Sequence, residues 1–465
     1  MTELAYGSAP AARDGAPGRD RYGLLINGAW AAAADGRTFD LDDPATGLRA
    51  ATLAAAGPPD VERAVRAARR AQEKSWRKLR PAERAKHLFA FATALAERAP
   101  AVARGETLAA GTPIRVAGDG AAAAADAAAY FAGWADKVSF ATRPGERARP
   151  FGVVAFTSDR SRGAHALGSR IAAALAAGNA AVVAAEPGDA LALFAIAEAA
   201  LHAELPAGLL GILTGPDAAA ALLEAPDVAG VSFAGSAPGA VALRRALAGA
   251  GRPALLAARV ESVPLLAVFA DAPLDQAVDA AIASLAAGTG TDRSVGARCL
   301  VQEGLLETFE AGVRARLTFL RHGDPCDVNA DVGPLADRAM RERAESYVRE
   351  AAAAGARIDV APWPAPEAGC GVPAAIVAGP AAAPRPDALR APILTVASFR
   401  TPEEAVALAA RLPRPSVASL WAWDDALLRS VARAVGATAT WCRAFGPPGV
   451  LGDDGATMLR EALDL

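Results

Sequence analysis

GVVAFTSDRSRGAHALGSRIAAALAAGNAAVVAAEPGDALALFAIAEAALHAELPAGLLGILTG, residues 152–215, alternates three short apolar runs with two alanine-rich helical stretches. The runs are Gly152–Thr157, Ala180–Ala185 and Gly208–Gly215; the helices extend through Leu175 and from Ala190 to His202. Strand, helix, strand, helix, strand predicts a parallel sheet with right-handed crossovers, a Rossmann-like unit. DVAGVSFAGS (227–236) adds a strand that runs into a Gly-Ser turn.

Working outward, a second series follows toward the C-terminus. LLAVFAD (265–271), ARCLVQE (297–303), ASLWAWD (418–424) and ATATWCR (437–443) read as strands, with helices such as LDQAVDAAIASLAAG (274–288) between them. Two α/β units are expected. Toward the N-terminus, LLINGAW (24–30) is a strand and turn, with Asn27-Gly28 as a hairpin signal. Asp60 is expected to cap a helix whose apolar positions Val61, Ala64, Val65 and Ala68 share a face. Pro81 opens a second helix, in which His87 is a surface or packing residue. The residues before Leu24 are expected to be a flexible leader, without the apolar core of a secretory signal.

Composition narrows the functions. The chain has 465 residues, 53% hydrophobic and 21% charged, which suits a globular protein of two or three domains. A net charge of −3 and the lack of a basic stripe argue against a nucleic-acid partner. No stretch of about 18 strongly apolar residues is present, so no membrane span is expected. Cys299, Cys326, Cys370 and Cys442 are widely spaced, which supports neither a disulfide framework nor a metal site. A cytoplasmic location follows as an expectation.

In FAGSAPGA (233–240) the strand is expected to end at Phe233 and a helix to begin near Pro238. The backbone N–H groups around Gly235 and Ser236 would then face whatever lies over that helix N-terminus, and a pyrophosphate would fit. A plain tight turn fits the same residues.

The segments LLINGAW, GVVAFT, ALAAGNAAVV, LPAGLLGILTG, DVAGVSFAGS, VFADAPLDQAV, ARCLVQEGLLETF and GDPCDVNADVGPL resemble, in order, landmarks of the aldehyde dehydrogenase superfamily. AYFAGWADK and LVQEGLLETF look closest to its family 16, in which some members carry a degenerate unit. The resemblance implies a Rossmann-like cofactor domain (24–127 and 151–261), an α/β catalytic domain (262–443) and oligomerisation elements (128–150 and 444–465).

It also shows which chemical groups are missing. GTDRSVGARCLVQ (290–302) resembles the nucleophile loop, with Arg293 where the family keeps its cysteine. A guanidinium stays protonated and has no lone pair with which to attack an aldehyde. The general-base glutamate falls on Arg259, 34 positions upstream, the usual family separation. The Pro-Trp-Asn motif, which helps hold the oxyanion, falls on Asp159, Arg160 and Ser161. The ribose-binding lysine falls on Ala184, with Glu186 two positions on. The Glu-Ile-Phe-Gly-Pro motif falls on Ala388, Leu389, Arg390, Ala391 and Pro392, keeping only the proline. Gly235 and Ser236 match as cofactor contacts, whereas the glycine that closes their motif is Ala240.

Glu261, Ser294 and Cys299 are the nearest replacements for base and nucleophile, but no histidine nearby would activate the serine, and Cys299 lies in a strand. Arg160, Arg259, Arg293 and Arg390 are expected to face one cleft, either plugging it in pairs with Asp159, Glu261 and Asp292 or holding an anionic metabolite. The leading expectation is a pseudoenzyme with no cofactor or weak residual NAD(P), acting as a homo- or hetero-oligomeric partner of an active aldehyde dehydrogenase. The alternatives are a divergent NAD(P)-dependent oxidoreductase and an anion-binding protein. The shortened C-terminal end, MLREALDL, is expected to stop before the strand that completes an intersubunit sheet, leaving a dimer built near Val138 to Val153.

Overall fold

The computed structural model describes residues 20–141, 149–158, 163–249, 255–260, 263–286, 297–362, 368–379, 389–411, 415, 417–437, 439–444 and 463–464. Strand β1 (Arg21–Tyr22) pairs in parallel with β5 (Arg49–Ala54), and β4 (Thr38–Asp42) closes that three-stranded sheet from the other side. Tyr22, near the end of the segment expected to be loose, is buried and stacks on Phe194 with ring centroids 5.0 Å apart, and residues 1–19 of that segment lie outside the described residues. Strands β2 (Leu24–Ile26) and β3 (Ala29–Ala31) form the expected hairpin. Asn27 (φ 54°) and Gly28 (φ 75°) both adopt the left-handed conformation that a two-residue turn of this hand requires.

Helices α1 (Pro58–Lys74), α2 (Pro81–Glu97), α3 (Ala99–Ala110) and α4 (Ile114–Trp134) follow. Asp60 is not the cap of α1 but its third residue. Gly57 takes the cap position, and buried Asp60 reaches back to accept from Gly57 N (3.0 Å) and Ala34 N (3.0 Å) while pairing with Arg63. The prolines at 58 and 59 explain the shift, since neither has an N–H to leave unsatisfied in the first turn. Trp76, fully buried, donates Nε1–H to Leu175 O (2.9 Å), so it fills the core and satisfies a helix-end carbonyl.

The sequence's alternating stretch is the centre of the first large sheet. After β6 (Arg149–Pro150) come β7 (Val153–Ser158), α5 (Gly163–Ala176), β8 (Ala180–Ala185), α6 (Ala190–His202), β9 (Leu210–Thr214), α7 (Ala218–Glu224), β10 (Val228–Gly235), α8 (Ala237–Gly249) and β11 (Leu255–Val260). The strand order is β11-β10-β7-β8-β9-β2-β3; β7 to β11 are mutually parallel, and β2 joins antiparallel at the edge. Alanine lets the helices over this sheet approach closely. A Cβ on Gly168 of α5 would stand 3.0 Å from the Cβ of Ala124 on α4, so even one added methyl presses on the neighbour.

The second sheet is built from β12 (Leu265–Val268), α9 (Leu274–Ala286), β13 (Arg298–Gln302), α10 (Leu306–Leu317), α11 (Arg338–Ala353), β14 (Arg357–Val360), β15 (Ala375–Ala378), β16 (Ile393–Phe399), α12 (Pro402–Ala410), β17 (Val417–Trp421), α13 (Asp425–Val435) and β18 (Ala439–Cys442). Its order is β14-β15-β16-β13-β12-β17-β18, parallel except at β14. The expected α/β class with two such units is what the chain adopts. Near the C-terminus, β19 (Leu463–Asp464) pairs antiparallel with β6 in a two-stranded ribbon. Among the described residues no helix is long and apolar enough to cross a membrane.

His322 lies at the junction between the N-terminal arm and the second sheet, lining a cavity of about 10 Å3 together with Ala45, Pro334 and Gly371. Its Nε2 accepts from Ala374 N (3.0 Å), which requires the neutral ring, and burial pushes its pKa down to about 4 despite the opposing charge of Asp331. The unfolded chain takes up this proton near pH 6.5 and the folded chain only near 4. Stability is therefore complete above about pH 6.5 and falls as the pH drops through that window. Discounted for partial exposure, the expected loss between pH 7 and 5 is about 1–2 kcal/mol. Urea midpoints for the wild type and His322→Gln at both pH values measure this, and equal pH dependence of the two proteins would refute it.

Candidate active site

Three strand ends of the first sheet form one wall of the site. The register sets Ser158 beside Ala234, Ala234 beside Arg259, and Gly235 beside Val260. The backbone of Arg259, which the resemblance sets at the general-base position, thus runs one strand away from the Gly235-Ser236 turn. Strand β10 continues through Gly235, two residues past the expected end, and α8 starts at Ala237. Ser236 serves as its cap: Ser236 Oγ accepts from Gly239 N (3.0 Å) and Ser236 O accepts from Ala240 N (2.9 Å).

The second sheet carries the remaining expected positions. Arg298 N donates to Pro264 O (2.8 Å), and its guanidinium donates to Val263 O (3.3 Å). These bonds join the chain that follows Arg259 to the first residue of β13, five positions after Arg293. Thr395 N donates to Ala297 O (3.2 Å), which brings β16 and the preceding Arg390 to the same edge, where Arg390 is buried at 7% exposure. The register thus brings Gly235, Ser236 and the backbone of Arg259 together at the edge of the first sheet, whereas Arg390 precedes β16 in the second sheet. Asp159, Arg160, Ser161, Glu261, Asp292, Arg293, Ser294 and Ala388 lie outside the described residues, as does the side chain of Arg259.

Helix α5 begins directly after the Ser161 segment, and two distant carboxylates hold its start. Gly163 N donates to Asp189 Oδ1 (3.0 Å) and Ala164 N to Glu106 Oε2 (2.8 Å), both acids being buried. His165 follows in the same first turn. One helical turn further, Arg170 donates Nη2–H to Ser232 Oγ (2.6 Å) and lies 5.4 Å above the Phe156 ring. None of Glu106, Asp189 or Arg170 was foreseen, because their partners are 26 to 62 residues away and no local pattern announces them.

A nicotinamide dinucleotide fits this site only in part. The Gly235-Ser236 turn and the 13-residue helix behind it suit a pyrophosphate. Thr157 at the end of β7 has a buried hydroxyl with no hydrogen-bond partner among the described residues, so the wall holds a polar group in reserve. Ala184, however, is a buried methyl where a ribose-binding side chain would be needed, and Glu186 beyond it is only half-buried. Cys299 gives no substitute nucleophile. It is 1% exposed, enclosed between β12 and β16, and burial pushes its thiol up to about 12, so no thiolate forms near neutrality. Among the described residues no group of His, Cys, Asp and Glu is arranged to hold a metal ion.

The sequence profile described as the aldehyde dehydrogenase family matches residues 30–448. A Burkholderia cenocepacia protein provisionally assigned as an aldehyde dehydrogenase superposes with a TM-score of 0.88 at 28% identity, covering 95% of this chain and 98% of that one. A mutant of indole-3-acetaldehyde dehydrogenase from P. syringae, in complex with NAD+ and IAA, superposes at 0.83 with 28% identity, covering 92% and 90%. An NAD+ complex of aldehyde dehydrogenase from Bacillus cereus, at 0.87 and 23% identity over 96% and 95%, shows the same fold.

Proposed function

The chain belongs to the aldehyde dehydrogenase family, and within it we propose a pseudoenzyme that keeps the scaffold without the acyl-transfer chemistry. The observation that carries this is the pair of arginines at the base and nucleophile positions, with Arg259 on the strand beside the Gly235-Ser236 turn. Neither guanidinium accepts a proton or attacks a carbonyl near neutral pH. Ser161 could donate at most one hydrogen bond to an oxyanion, which stabilises charge but does not create a nucleophile.

What remains is a turn that fits a phosphate without side chains that fit the riboses. Weak NAD(P) binding follows, and no step of a reaction is assigned to it. The role left for the chain is that of an oligomeric partner, structural or regulatory, for an active aldehyde dehydrogenase.

A divergent NAD(P)-dependent oxidoreductase is the second reading. The intact Gly235-Ser236 turn favours it, together with the NAD+ named in the P. syringae complex. Calorimetric titration with NAD and NADP, run with an aldehyde panel and reduced-cofactor absorbance, separates the two. The pseudoenzyme predicts a dissociation constant of about a millimolar or weaker and no absorbance change. Micromolar binding with turnover would establish the oxidoreductase instead.

A further inference from the structure

Along α1 the arginines up to residue 69 are matched by acids: Arg63 pairs with Asp60, Arg66 with Glu62, and Arg69 with Glu73 and Asp227. The matching then stops. Arg70 and Lys74 on the last turns of α1, Arg77 and Lys78 on the single 3-10 turn Trp76–Lys78, and Lys86 on α2 are all exposed, and none forms an ion pair among the described residues. Residues 66–86 hold nine Lys and Arg against two Glu in a chain whose net charge is −3, so positive charge is concentrated at this corner and the remainder is the more negative for it. Like charges such as Arg70 and Lys74, four residues apart on one helix, repel and weaken it slightly.

Three contacts fix the corner over one turn of the first sheet. Gln72 Nε2–H donates to Gly178 O (3.1 Å), Trp76 Nε1–H donates to Leu175 O (2.9 Å), and a Cβ placed on Gly178 would stand 3.9 Å from Arg84 Cζ. The end of α1 and the start of α2 therefore meet at the turn that enters β8. That turn lies at the N-terminal end of the parallel strands, whereas the Gly235-Ser236 turn follows the C-terminal end of β10, so the corner is at the opposite end of the sheet from the candidate site. Arg84 is its half-buried member. Among the described residues its Nη1 donates only to Leu79 O, at 3.4 Å, its Nε is buried with no acceptor, and burial lowers its pKa from the ordinary value. A guanidinium removed from water without a counter-charge is costly, and an arriving carboxylate offsets that cost.

We propose that this corner docks a short acidic segment of a partner protein, one of whose carboxylates seats against the Arg84 fork. A guanidinium donates two parallel N–H bonds to a carboxylate, and Arg77 and Lys78, next in the chain to the Leu79 that accepts from Arg84, hold the acids on either side. A short segment fits better than an extended polyanion. A nucleic acid or an anionic membrane surface would also meet the negative balance of the rest of the chain, whereas a short segment meets the corner alone. The inference rests on the partner role proposed above, whose contact chemistry it names, and not on whether the chain turns over substrate.

Fluorescence anisotropy of a labelled oligoglutamate peptide with the full-length protein tests it, at about 0.15 M ionic strength so that diffuse attraction is screened. A dissociation constant of about 10 μM or tighter is expected. Reversing two charges in the corner, Arg77→Glu with Lys78→Glu, should weaken binding about 10-fold or more, whereas the same reversal on α11, Arg343→Glu with Arg349→Glu, should change it less than about 3-fold. Arg84→Met should also weaken binding about 10-fold, with a thermal unfolding midpoint at or above that of the wild type, because an uncompensated cation is removed. No binding, equal losses from the two reversals, or an Arg84→Met protein that binds as the wild type does would each overturn the proposal. A lowered midpoint for Arg84→Met would show that Arg84 serves the fold and overturn its place in the contact. Tighter binding of an oligothymidylate of equal charge, or of phosphatidylserine vesicles, would overturn the proposal by assigning the corner to a nucleic acid or a membrane. Aldehyde turnover would sink the pseudoenzyme reading and leave this one standing.

Discussion

Arg293→Cys should release one equivalent of phenolate from p-nitrophenyl acetate and then stop, whereas the wild type releases none. Position 293 lies five residues before Arg298, and Arg298 is fixed to Pro264, just beyond the Arg259 strand. A cation at 259 would favour the new thiolate, so acylation is expected to be fast. The thiolate attacks the ester carbonyl, the phenolate leaves, and a thioester remains on the enzyme. Hydrolysis of that thioester requires a base to take a proton from water, and an arginine cannot. Adding Arg259→Glu supplies the base, and steady turnover about 10²–10³-fold above that of Arg293→Cys is expected. Equal turnover by the single and double variants would show that position 259 does not face the nucleophile. A wild-type burst would show that another side chain already attacks.

The fold was legible where burial made the pattern simple. β7, β8 and β9 are covered on both faces, so they read as unbroken apolar runs with helices between them. Strands that mix exposed and buried residues, such as β4 with its sequence TFDLD, carry no such run and give no strand signal. β16 is hidden for another reason: its apolar run ILTVASF follows a Pro- and Ala-rich stretch with no helix pattern to frame it. The Gly-Ser turn was legible because strand, turn and helix are contiguous in sequence. The clamp on α5 was not, because Glu106 and Asp189 reach it from α3 and from beyond β8, and a buried acid in an alanine-rich segment carries no periodic signal. Family spacing set Arg259 and Arg293 at the expected base and nucleophile positions, and that information came from resemblance, not from any physical pattern in this chain.

Gly369→Ala is expected to be among the most damaging single-methyl changes in the molecule, costing about 3 kcal/mol or more. Gly369 sits at φ +75°, where a Cβ is already strained, and that Cβ would fall 2.5 Å from Ala45 O and nearer still to Pro44 O. Neither carbonyl can retreat. Cys370 N donates to Pro44 O at 2.7 Å, while Asp43 holds the same turn through Ala45 N (2.8 Å) and the Thr46 hydroxyl (3.0 Å). On the other side, Arg341 Nη1 donates to Gly369 O at 2.7 Å. The methyl would have to part the N-terminal arm from the second sheet's segment, breaking these bonds together. Gly355 supplies the control. It has φ +89°, and no described atom lies within 4 Å of the place its methyl would take, so Gly355→Ala bears only the backbone strain of about 1 kcal/mol. Chemical denaturation of both variants separates conformation from contact. Equal losses would mean that the arm and the sheet are not locked at this point, and that the junction yields without cost.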